Sequence, residues 1–143
     1  MKGKVFLHAM GIWFVFFIFA FLNGTIRNIF LEPTMGKYPA HVIAATALSG
    51  FVLVVTYIFV THVRVPFSKL DFLLVGFLWV IATVIFEFVF GHYVMGNPWE
   101  TLLADYNILE GRLWTVILAC ELFGPLIFSL VKKKIPHPPI SRM

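Results

Sequence analysis

The chain has 143 residues, of which 60% are hydrophobic and 13% charged, with 17 Phe and a formal net charge of +4. A soluble domain of this length carries roughly 25% charged residues, so the composition excludes an ordinary water-exposed globule and points to a single domain whose solvent is mostly lipid. The lone cysteine, Cys120, excludes an intramolecular disulfide, a Cys-x-x-Cys redox pair and a cysteine-rich metal site.

In chain order, four apolar runs approach the length of about 20 residues that a membrane-crossing helix needs. They cover about 5–22, 41–63, 72–94 and 113–131. Backbone amides find no water in hydrocarbon, so each run must satisfy them internally as a helix. Continuous rather than alternating apolarity argues against a β-barrel. The predicted fold is an all-α integral membrane protein: a four-transmembrane-helix bundle, with an outer interfacial amphipathic helix between the third and fourth spans.

The first run is aromatic ("IWFVFFIFAF") until "NGTIRN", where Asn23 and Arg27 stand one helical turn apart. The second has a small face of Ala45, Thr46, Ser49 and Gly50, the kind of surface that lets helices or a second copy of the chain approach. "RVPFSKLD" joins it to the third, with Pro66 marking a stop. The third run carries Glu87 on one face with Gly76, Thr83 and Gly91, and the fourth carries Glu121 ahead of Gly124-Pro125.

Between them lies "NPWETLLADYNILEGRLW" (97–114), in which about a quarter of the residues are charged although both flanks are apolar. Asn97 and Pro98 suit a helix start. Trp99, Leu102, Leu103, Tyr106, Leu109 and Leu113 recur at three- and four-residue steps, which predicts an amphipathic helix over about 98–110. Its charges, Asp105, Glu110 and Arg112, need partners other than lipid. The tail "KKKIPHPPISRM" is basic and cannot continue as a helix past its prolines.

Lys and Arg set the orientation. Lys2, Lys4, Arg64 and Lys69 fall on the same side as Lys132, Lys133, Lys134 and Arg142, against Arg27, Lys37 and Arg112 on the other. By the positive-inside tendency both termini are cytoplasmic. The basic residues flank apolar runs, so they read as headgroup contacts and not as a nucleic-acid surface.

A charge at mid-bilayer costs at least ~2.5–3.5 kcal/mol, so an intramembrane acid requires a partner, a proton or an aqueous cavity. Glu87, Glu121, Arg27, Arg112, His92, Asn23, Asp105 and His41 all fall towards the outer half and form the candidate pocket. A two-haem arrangement of paired histidines is disfavoured, because His41 and His62 are about 31 Å apart along one helix, at its two edges. Imidazole and carboxylate suit zinc or manganese, yet no ligand spacing specifies a metal, and no motif names a cofactor.

Two functions fit this pattern. One is a small-solute or ion binding or transport protein, working through a homodimer if a single bundle encloses too little space. The other is an accessory or structural subunit whose polar cluster fixes helix packing or recruits a larger membrane partner. A lipid-modifying enzyme using His92 and Asp105 as general bases would need a nucleophile or metal motif that the sequence lacks.

Overall fold

In the computed structural model, residues 2–63, 67–104, 106–107, 109 and 113–134 are described, and every element among them is helical. Helix α1 (Lys2–Ile26) runs through a π-helical turn (Arg27–Leu31) into the short α2 (Glu32–Met35). Helix α3 covers Lys37–His62; α4 covers Lys69–Val89 and ends in a second π-helical turn (Phe90–Val94). The short α5 (Trp99–Ala104) precedes α6 (Trp114–Lys134). Four helical stretches are long and apolar enough to cross a membrane: Gly3–Met35, Lys37–His62, Lys69–Val94 and Trp114–Lys132.

The first stretch differs from its sequence reading, which stopped the span near Leu22. Polar residues that suggested a break satisfy themselves without breaking the helix. Thr25 Oγ1 donates back to the Phe21 carbonyl, and Asn23 Nδ2 reaches across to the Ala44 carbonyl at 3.0 Å. The π turn falls just before Pro33, whose ring would crowd the carbonyl four residues back in a regular helix. The real stop is Gly36, at φ +88°, a left-handed conformation that costs glycine nothing. At 33 residues the stretch is about 50 Å long, roughly 20 Å more than the thickness of a hydrocarbon layer.

Successive long helices alternate in direction. One end of the bundle, here the terminal end, carries the start of α1, Val63, residues 67–69 and the end of α6. The other, the connector end, carries residues 27–36, 95–104 and 113. Lys132 Nζ donates to the Val60 and Val63 carbonyls at 3.0 and 2.8 Å, tying the last turn of α6 to the last turn of α3. A capping box begins α4, with the Ser68 amide donating to Asp71 Oδ2 and the Asp71 amide donating to Ser68 Oγ.

α6 packs closely against α3 and α4, and α1 closes the ring by packing on α3 and α4 from the opposite side. Near the terminal end the approach is backbone to side chain or tighter. A Cβ at Gly76 of α4 would overlap the Leu122 carbonyl of α6. One at Gly124 would sit 3.3 Å from Thr56 Cγ2 of α3. Trp79 is fully buried and donates its indole N–H to the Ala9 carbonyl at 2.8 Å, locking α4 to α1. The small face expected on α3 divides: Ala45 is buried and Ser49 half-buried, while Thr46 and Gly50 face away from the bundle.

Candidate functional site

Towards the connector end the four helices part. A cavity of about 370 Å³ opens between them, walled by Trp13, Phe16 and Phe17 of α1, Val52 of α3, Phe86 of α4 and Ile117 of α6, among others. Both intramembrane carboxylates line it, Glu121 deep in the bundle and Glu87 nearer the connectors. A second cavity of about 350 Å³ adjoins it and shares Ala20, Arg27, Leu48, Glu87, Trp114 and Ile117. Its other walls are more polar: Asn23, Glu32, Lys37 and His41. The first, more apolar space is termed the chamber and the second, more polar one the vestibule; the two are open to a similar degree.

Glu121 is buried, at 3% exposure. Thr83 Oγ1 lies 3.3 and 3.0 Å from its two oxygens and donates to the carboxylate; the Trp13 indole N–H in turn donates to Thr83 Oγ1 at 2.9 Å. The chain Trp13–Thr83–Glu121 crosses α1, α4 and α6, and each donor in it has one acceptor direction to satisfy. Pro125, one turn beyond Glu121, has no N–H to offer the Glu121 main-chain carbonyl. Gly124 then lets this interrupted turn sit against Thr56.

Glu87 faces both cavities and accepts from the Tyr106 hydroxyl at 2.6 Å. Tyr106 stacks on Phe88 (centroids 5.8 Å apart, planes 18°), and its carbonyl accepts from Thr115 Oγ1 at 3.1 Å. The connector is thereby fastened to α4 and to the start of α6. Leu102 of α5 is buried and meets Gly91 in the second π turn, where a Cβ would approach Leu102 Cδ2 to 2.8 Å. Residues 95, 97 and 102 complete the chamber wall on this side.

The sequence-predicted residues divide into three groups. Glu87, Glu121 and Arg27 share the chamber, and Asn23, His41, Arg27 and Glu87 share the vestibule. Arg27 pairs with Glu32 at 3.6 Å and donates to Asn28 Oδ1. His41 Nε2 accepts the Leu113 amide at 3.0 Å, so that nitrogen carries no proton. His92 stands apart from the cavities; its Nδ1–H donates to the Asn97 carbonyl and its ring stacks on Trp99 at 3.8 Å. Asp105 and Arg112, with Glu110, lie outside the described residues. The predicted interfacial stripe also divides: Leu102 and Tyr106 turn to the bundle, while Leu103 and Leu109 face away.

Sequence reading missed Trp13, Tyr106 and Trp114 as site residues. Trp13 was hidden in an aromatic run with no polar neighbour to mark it. Thr83 carried a signal, since it lies one turn from Glu87 on the same face. Trp114 lines both cavities and its buried indole N–H has no acceptor among the described residues. No group of three or more His, Cys, Asp or Glu able to hold a metal occurs among the described residues. Comparison of the chain with protein-family models, with curated proteins and with solved structures gives no match.

Proposed function

We propose that this chain is a small multi-pass membrane protein that binds a small solute in the chamber between its four helices. All four long helices span the bilayer with both termini in the cytoplasm, so the vestibule opens on the non-cytoplasmic face. Helix α5 and Tyr106 lie at that surface and flank the chamber through Leu102 and Glu87. One observation carries the reading: a cavity of small-molecule size holds a buried carboxylate and adjoins a polar vestibule. A bundle built only for packing would fill that space with side chains.

Ala20 borders both cavities, so Ala20→Phe places a ring in the passage without touching the polar groups. Native mass spectrometry of gently extracted protein tests the reading. Wild-type protein retaining a small non-protein mass that Ala20→Phe lacks supports it. Protein that takes up no small solute in either form contradicts it.

A second reading, an accessory subunit without a ligand, draws on the Trp13–Thr83–Glu121 chain, which joins three helices as a structural lock would. It expects Glu121→Gln to unfold the bundle and expects the protein to leave native membranes attached to a larger partner.

A further inference from the structure

Resting on the chamber reading above, we infer that the solute is a small organic monocation, a quaternary or protonated amine with an apolar body. Three features of the chamber lead to this class. Glu121 touches no cation among the described residues; its contact is the Thr83 hydroxyl. A carboxylate has about four acceptor sites, and one hydroxyl hydrogen leaves most of them unfilled in a side chain that lines the cavity. A buried carboxylate in that position requires a counter-charge or a proton. Arg27, the basic residue on the same wall, is matched by Glu32 at 3.6 Å.

Much of the remaining wall is aromatic, with four of its rings ordered in two near-parallel pairs. Trp13 and Phe17 lie near-parallel at 6.0 Å and 17°, as do Phe86 and Phe90 at 5.1 Å and 16°. Phe17 meets Phe86 edge-on at 4.5 Å. Ring faces attract a cation most when it is stripped of water, and an organic ammonium sheds its weak hydration more easily than a metal ion. A bare hard cation takes six or more oxygen ligands, and among the described residues no group of three or more carboxylate, imidazole or thiol side chains gathers to supply them. The volume of about 370 Å³ suits a molecule of fragment size rather than an ion. An anion would face Glu121, and a neutral solute would require Glu121 to hold a proton, whereas a cation answers the carboxylate directly.

Binding of benzyltrimethylammonium, benzyl alcohol and benzoate to the full chain in nanodiscs, followed by tryptophan fluorescence, tests the class. The cation is expected to bind at least about tenfold more tightly than the alcohol, and benzoate most weakly. Glu121→Gln should weaken the cation by about tenfold and leave the alcohol unchanged. Should that variant fail to fold, Phe86→Leu serves instead, with an expected loss of about threefold for the cation alone. Equal binding of cation and alcohol, indifferent to Glu121, overturns the cation class while the chamber reading stands. Binding of none of the three, with Ala20→Phe indistinguishable from wild type, overturns both.

Discussion

At the terminal end, Trp79, Val60, Val75 and Thr56 are fully buried and the backbones of α4 and α6 nearly touch at Gly76. Towards the connector end the same helices part around about 370 Å³ lined by Glu87 and Glu121. The contrast follows from residue choice on a few turns. Glycine at 76 and 124 brings α6 against its neighbours. At the chamber level, ring side chains and Thr83 hold the helices apart, and the polar chain Trp13–Thr83–Glu121 replaces apolar contact. The terminal half is closed where α6 meets α3 and α4, with an apolar groove of about 910 Å³ left between α1 and α3; those close contacts stabilise the bundle and let the connector half remain hollow.

The closed half should therefore be far more sensitive to substitution than the hollow half. Gly76→Val is expected to be the most damaging change, at about 3 kcal/mol, because its side chain meets a backbone carbonyl that cannot swing away. Its unfolding midpoint in detergent should fall furthest. Trp79→Phe removes the bond to the Ala9 carbonyl and part of a fully buried ring; a loss of about 2 kcal/mol is expected in the same assay.

Glu121→Gln should cost less than about 1 kcal/mol, since the amide oxygen still accepts from Thr83. A loss as large as that of Trp79→Phe would make the carboxylate a structural lock and erase the functional contrast between the halves. Gly91→Ala sits against a flexible Leu102 methyl rather than backbone. A change of about 0.5 kcal/mol or less is expected, visible chiefly as faster amide exchange over 99–104 while the terminal half exchanges as before.

The four apolar helices were legible in the sequence because a lipid-facing helix must be apolar along its whole length, and Trp13 to Phe21 or Phe72 to Val84 can be read without knowing any partner. Glu87 and Glu121 were legible for the converse reason: a carboxylate in such a run demands an explanation. The extension of α1 past Asn23-Gly24 was not, because the groups that would have ended the helix bond to Phe21 and Ala44 instead. Which residues complete the site was hidden as well. Trp13 meets Thr83 across 70 positions and Tyr106 meets Glu87 across 19, and no local pattern encodes those pairings. His92 shows the opposite failure: its position near the other polar residues suggested the pocket, yet its ring is committed to Trp99 and the Asn97 carbonyl.

One half of the bundle holds a polar space between its helices on the connector side; in the other half α4 and α6 are packed shut around Val75 and Gly76. Cysteine accessibility measures this directly. With Cys120 replaced by Ser, Ile117→Cys places a thiol on the wall shared by chamber and vestibule, and Val75→Cys places one in the closed half, where the residue is 0% exposed. In proteoliposomes treated with a small water-soluble methanethiosulfonate from the connector side, position 117 should label and position 75 should not. An unlabelled 117, or equal labelling at both, would contradict the account.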